Sequence, residues 1–197
     1  DDAVRRADTV IKGLLDFSSS KTLELNLGDF NPIVEKACLL VKHELDKNHI
    51  TLVKALQEDL PLLRLDANKI EQLLVNVFMN AIQAMPDGGT LTVRTLTRPL
   101  TQRGHGVGTR EGDRFRVGET AVVTEVEDTG TGIPQDHLDK LFDPFFTTKA
   151  PGQGTGLGLT VVQNIIDLHG GTIDIANRDG RGAKVTMMLK VRVPATA

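Results

Sequence analysis

The sequence predicts an α/β fold, a two-layer sandwich of a sheet packed on helices, preceded by a short helical arm. Three observations predict it. One stretch, about 67 to 85, keeps helical apolar spacing over its whole length; short alternating strands dominate the second half; and 197 residues support one main core rather than two. With 40% hydrophobic and 25% charged residues, the composition is that of a globular chain and not a disordered one. No apolar run approaches the ~18 to 20 residues of a bilayer span. A net charge of −3, with Lys and Arg scattered, excludes nucleic-acid wrapping as the default function.

Taken in order, residues 2 to 18 place Val4, Ala7, Ile11 and Leu14 on one seam, with Val10 and Phe17 beside it. This is an amphipathic arm that pairs with another helix or packs on its own domain. Ser18 to Lys21 reads as a linker, so the expected division is an arm over 1–20 and a domain over 21–197. Leu23 to Leu27 alternates as a strand. Asn31-Pro32 opens a helix to about Lys47, with Asn31 as its cap. Ile50 to Leu56 is a second strand, and an extended piece ends at Asp66, which can cap the 67–85 helix. Pro86-Asp87-Gly88-Gly89 stops that helix. Strands follow at Thr90 to Thr97 and Ala121 to Glu127, separated by a Gly- and Arg-rich exposed loop, Arg98 to Glu119. A helical turn near Gln135 to Leu141, a helix from about Gly156 to Leu168 and strands at 172–176 and 183–191 complete the chain.

Cys38 is the single cysteine, which leaves no internal disulfide and no zinc-ligand spacing, and points to a reducing, cytoplasmic setting. The start at Asp1-Asp2 reads as a piece of something longer.

Four segments carry candidate chemistry. Asn76 and Asn80 stand one helical turn apart beside the apolar stripe; solvated amides would explain them, but an amide oxygen is also a hard ligand suited to Mg²⁺. Asp128-Thr129-Gly130-Thr131-Gly132-Ile133 sets a carboxylate at a strand end before two glycines, a pattern that ordinary turns also use. Leu141-Phe142-Asp143-Pro144-Phe145-Phe146-Thr147-Thr148-Lys149 gathers three rings and two hydroxyls in a loop, as a satellite core or a ligand wall. Gly152 to Leu159 leads glycines straight into a helix N-terminus, where N–H groups and the macrodipole favour an anion. A hinge would explain those glycines but not their placement. Neither the dinucleotide fingerprint nor a P-loop fits.

In this order the four segments resemble the N, G1, F and G2 boxes of sensor histidine kinases, within the GHKL group of ATP-binding folds. The resemblance covers about residues 22 to 193, and Asn80 to Met85 with Phe145 to Lys149 is most similar to the nitrogen-regulation type. It implies a mixed sheet on helices of the Bergerat type, with ATP and Mg²⁺ as cofactors. By this resemblance Asn80 holds the metal, and Asn76 supports the phosphate end. Asp128 accepts from the adenine amine, while Gly130 and Gly132 pass close to the base and Ile133 and Leu141 flank it. A lid over about 134 to 155 is anchored by Phe142, Phe145 and Phe146. Thr147, Thr148 and Lys149 meet the phosphates, with Lys149, Asn76 and Asn80 as the catalytic set. Gly154, Thr155, Gly156, Leu157, Gly158 and Leu159 form the phosphate loop, and His169 is structural.

Two departures stand out. Gly182-Ala183 lacks the Thr that many relatives carry there, and no histidine of this chain lies in a phosphoacceptor context. The resemblance therefore implies transfer of the ATP γ-phosphoryl group to a histidine on an upstream helix, of the same protein or its dimer mate. The expected partners are that helix and a response regulator receiver domain, in a homodimer, with no nucleic acid and no membrane contact by this segment. The competing readings are an ATP-hydrolysing clamp like gyrase or the heat-shock chaperone, and a nucleotide-sensing module without turnover. Asn76 stands where such clamps place a water-activating Glu.

Overall fold

A computed structural model describes residues 23–100, 115, 118–149 and 154–191. The expected arm and linker over 1–20, and most of the 98–119 insertion, lie outside the described residues. The elements are β1 (Asn26–Gly28), α1 (Asn31–Leu40), α2 (Lys42–Lys47), β2 (Ile50–Leu56), β3 (Leu63–Leu65), α3 (Ala67–Gln83), β4 (Gly89–Pro99), β5 (Thr120–Asp128), a 3-10 helix (Gln135–Lys140), α4 (Gly158–Leu168), β6 (Thr172–Asn177) and β7 (Ala183–Lys190).

Five strands form one sheet in the order β2-β4-β5-β7-β6. Only the β2–β4 pair is parallel, because β3 and α3 cross over between them; every other connection returns antiparallel. The sheet is therefore mixed, as expected. Alternation along the central strands sends Leu91, Val93, Val122, Val126, Met187 and Leu189 to one face, where they meet Val34, Ala37, Leu74, Phe78, Val162 and Ile165 of α1, α3 and α4 in the main core. Phe78 and Leu74 are completely buried. Cys38 lies in this core, and desolvation pushes its thiol up to about 11.

The opposite face of the sheet carries ion pairs. Glu125 meets Arg98 and Lys184, while Glu127 meets Arg94, Arg178 and Lys184. A small second core sits beside them, in which Leu100 and Phe115 close over Ala121. The expected exposed loop thus starts later than Arg98, since β4 runs on to Pro99 and at least one ring of the insertion returns to the sheet.

Three local expectations need correction. The alternation from Leu23 yields a strand only over Asn26–Gly28, paired with β3, and Leu27 is exposed. The 31–47 helix is interrupted at Val41, which leaves the helical region (φ −93°, ψ 1°); backbone bonds continue on both sides of it, so Val41 and Leu45 still face the core. Asn31 does not cap α1. Its amide instead donates to the Gln57 carbonyl (2.7 Å) and accepts from the Thr95 hydroxyl (2.9 Å), tying the helix start to two strands.

Candidate functional site

The longest helix among the described residues, α3, is fixed at its start by Asp66, whose Oδ1 accepts from the Asn68 and Lys69 N–H groups (3.1 Å each). Its apolar stripe is buried under the sheet. Asn76, Asn80 and Gln83 leave that stripe on the side that opens to a cavity of about 630 Å³. Their spacing of four and three residues keeps them in one row along the helix.

The cavity brings together segments that are distant in sequence. From the row on α3 it reaches Val126 and Asp128 at the end of β5, Thr131 to Pro134, Leu141, Phe146 to Lys149, and Gly154 to Gly156 with Gly158 and Leu159; Ile175, Ala183 and Val185 close its sheet side. Of the residues expected at the site, Asn76, Asn80, Asp128, Gly132, Ile133, Leu141, Thr147, Thr148, Lys149, Gly154, Thr155, Gly156, Gly158 and Leu159 line this one space.

Gly130, Phe142 and Leu157 do not line it. A Cβ on Gly130 would lie 2.4 Å from the Ala84 carbonyl oxygen, so this glycine lets the loop approach the end of α3. The Phe142 carbonyl receives the Thr160 hydroxyl (3.3 Å), and Leu157 turns into the protein, buried. Phe145, expected to anchor the lid, is 60% exposed. Its backbone anchors instead: the Phe145 N–H donates to the Gly156 carbonyl (3.0 Å). Gly156 has φ +65°, and a Cβ there would lie 2.3 Å from the Phe145 carbonyl carbon, so only glycine fits. Phe146 supplies the ring that lines the cavity, in edge contact with His137 (5.4 Å).

Asp128 is buried. Its Oδ1 accepts from the Gly130 N–H (2.8 Å) and the Ala183 N–H (3.2 Å), and the residue lines the cavity. Burial raises its pKa above the ordinary 3.8, against the lowering pull of those two N–H groups and of Arg178. On the α3 side of the same cavity, the Lys149 ammonium donates to Asn80 Oδ1 (3.2 Å) and to Gln83 Oε1, and burial pulls its pKa below 10.5. Asn80 and Gln83 thus already present amide oxygens to a cation. No side chain caps α4, and its first residues Gly158 and Leu159 face the same space.

Sequence reasoning missed Gln83, although the row Asn76, Asn80, Gln83 could have shown it. It also missed Asn177, Arg178 and Arg181, which hold the loop after Asp128 and carry no local signal. Among the described residues no three His, Cys, Asp or Glu side chains gather into a metal site, and no helix is long and apolar enough to cross a membrane.

Comparison with known proteins agrees with this geometry. The sensor histidine kinase ZraS of Escherichia coli (strain K12) is 34% identical over 188 residues, 95% of this chain and 36% of that protein. The sensor kinase CckA of Brucella abortus (strain 2308) is 39% identical over 186 residues, 93% of this chain and 19% of that one. The chain therefore spans about a third or less of these relatives. The crystal structure of the histidine kinase ThkA in complex with the response regulator protein TrrA superposes with a TM-score of 0.70 at 26% identity, over 95% of this chain and 48% of that one. Residues 65–193 match the sequence model described as histidine kinase-, DNA gyrase B- and HSP90-like ATPase, a span that holds α3, the Asp128 loop and the start of α4. By that match, the chain belongs to the histidine kinase-, DNA gyrase B- and HSP90-like ATPase family.

Proposed function

We propose that this chain is the ATP-binding catalytic domain of a two-component sensor histidine kinase, with residues 21–197 as that domain and 1–20 as the end of a dimerisation helix and linker. One observation carries the reading. A single cavity joins a buried carboxylate to amide oxygens, a lysine and an uncapped helix N-terminus. That is the polarity of ATP, with a base carrying an N–H donor at one end and phosphates at the other.

In this reading the free oxygen of Asp128 accepts from the adenine exocyclic amine, and would repel the carbonyl that guanine carries there. Gly158, Leu159 and the α4 dipole take the phosphates. Mg²⁺ fits the site, because the oxygens of Asn80 and Gln83 already attract the Lys149 cation; Asn80, supported by Asn76, would hold it, and it would neutralise phosphate charge. Lys149 then adds its own positive charge. The γ-phosphoryl group leaves ADP as its bond to the β–γ bridging oxygen breaks, and a bond to an imidazole nitrogen of the acceptor forms, with the ring N–H proton released.

Transfer is favoured over hydrolysis by the cavity wall itself. Among the described residues lining it, Asp128 is the acid, and it stands at the base end, so the phosphate end lacks a carboxylate to activate water. The acceptor histidine is assigned to an upstream helix of the same protein or its dimer mate, the next recipient to a response regulator receiver domain, and the setting to the cytoplasm. The ThkA–TrrA complex supports the second assignment. The test is incubation with γ-labelled ATP and Mg²⁺, with and without a fragment supplying the upstream helix. Acid-labile label on the added fragment is the expected result; free phosphate with no label would move the assignment to an ATP-hydrolysing clamp.

A further inference from the structure

We propose that the turn between β6 and β7 is a positioning clamp for the base end of the cavity, with Asn177 as the residue that fixes Ile133. The inference rests on the nucleotide reading above. Residues 131–134 line the cavity but belong to no helix or strand, so their backbone needs partners from elsewhere. Asn177, the last residue of β6, supplies two. The Ile133 N–H donates to Asn177 Oδ1 (2.7 Å), and Asn177 Nδ2 donates to the Ile133 carbonyl (2.7 Å). One side-chain amide thus pairs with both backbone groups of one residue, as a neighbouring strand would. Both bonds together fix the orientation of that amide, since the reverse assignment would oppose two donors and two acceptors.

Two further side chains of the turn continue the pattern. Arg178 donates to the Asp128 carbonyl (2.9 Å), and Arg181 Nε donates to the Gly130 carbonyl (3.1 Å). Glu127 orients Arg178 from the other side (3.3 Å), and the turn is closed by the Arg178 N–H on the Gly182 carbonyl (3.0 Å). Three side chains of one turn therefore hold Asp128, Gly130 and Ile133, the stretch that sets where the Asp128 carboxylate stands relative to the Ile133 wall. On its far side this stretch is fixed once more, by the Thr131 N–H on the Ala84 carbonyl (3.1 Å).

Asn177 is exposed, so its replacement removes the tether without opening the core. The clamp acts on the loop after Asp128, whereas the phosphates are assigned to Asn76, Asn80 and the start of α4. Asn177→Ala is therefore expected to weaken ATP binding about tenfold, the scale of one or two hydrogen bonds, while leaving the affinity for inorganic tripolyphosphate, measured by competition against ATP in calorimetry, as in the wild type. Asn177→Asp keeps the acceptor for the Ile133 N–H and loses the donor, so an intermediate loss is expected. Equal weakening of ATP and tripolyphosphate would mark a general structural defect and overturn the positioning role, as would unchanged ATP binding in Asn177→Ala. A wild-type chain that binds no ATP would overturn the nucleotide reading and the clamp with it.

Discussion

Asp128 shows how one side chain can serve fold and ligand at once. Its Oδ1 is committed to the Gly130 and Ala183 N–H groups, and the residue lines the cavity, where its other oxygen is assigned to the ligand. In Asp128→Asn the amide oxygen can keep both backbone bonds while an NH₂ group replaces the free oxygen. The loop should stay folded, but a donor would then oppose the adenine amine. ATP affinity is expected to fall roughly ten- to a hundredfold, the range set by about 1–3 kcal/mol for an unmatched buried polar group, with the thermal midpoint of the free protein little changed. Calorimetry of the two proteins checks this, and equal affinity would remove Asp128 from the base end. At this scale most of the cavity was legible in the sequence through the resemblance, because a strand-end carboxylate, glycines before a helix and a pair of amides, each ambiguous alone, stand in the order of the family's boxes. Gly130, Phe142 and Leu157 stand off the cavity wall for a simple reason: neighbours in a loop point to different sides, and spacing alone does not say which side meets the cavity. Asn177, Arg178 and Arg181 were invisible because their partners lie 44 to 51 residues away.

At the scale of elements, α3 and α4 are joined end to end by a histidine that the sequence marks only as a turn residue. His169 caps the C-terminus of α4; its Nε2 accepts from the Asp66 N–H (3.0 Å), at the residue that caps α3, and its Nδ1–H meets the Ile165 carbonyl (2.7 Å). Acceptance at Nε2 requires the neutral ring. Burial accordingly pulls its pKa below the ordinary 6.5, while the Ile165 bond and the Asp66 charge pull the other way. An unfolded chain would take up the proton first on acidification, so the stability this contact supplies is complete above about pH 6.5 and declines as pH falls below it. Urea unfolding at pH 7.5 and pH 5.5 should show this decline in the wild type. His169→Leu should lose about 1–3 kcal/mol at the higher pH, where it leaves the Asp66 N–H unpaired, and show a smaller further loss at the lower one. Parallel profiles for the two proteins would remove His169 as the cause. The elements themselves were read well wherever apolar period and caps agree, as over α3, and less well at β1 and Val41. There the sequence pattern is compatible with a longer element, and pairing with β3 or packing of the helix against the core sets the limit.

At the scale of the whole chain, the cavity wall is shared by α3, β5, β6, β7, the loop from Thr131 to Lys149 and the start of α4, and these same helices and strands contribute to the main core. A ligand that touches all of them binds the folded chain and finds no equivalent surface on the unfolded one, so occupancy must raise the stability of the domain. At a ligand concentration a hundred times Kd the gain is about 2.7 kcal/mol, which for a chain of this size corresponds to a rise in Tm of roughly 5–10 °C. Thermal unfolding with ATP and Mg²⁺ should show that rise. Because Asn80 and Gln83 supply neutral oxygens and no carboxylate, a metal would depend on the phosphates for most of its binding, and Mg²⁺ alone should shift the midpoint little. With ATP present, Asn80→Ala should lose the part of the rise that Mg²⁺ adds and keep the part that ATP gives without it, since Asp128 and α4 are untouched. A wild-type shift that is the same with and without Mg²⁺ would overturn the metal assignment, whereas no shift with ATP under either condition would overturn the nucleotide site itself.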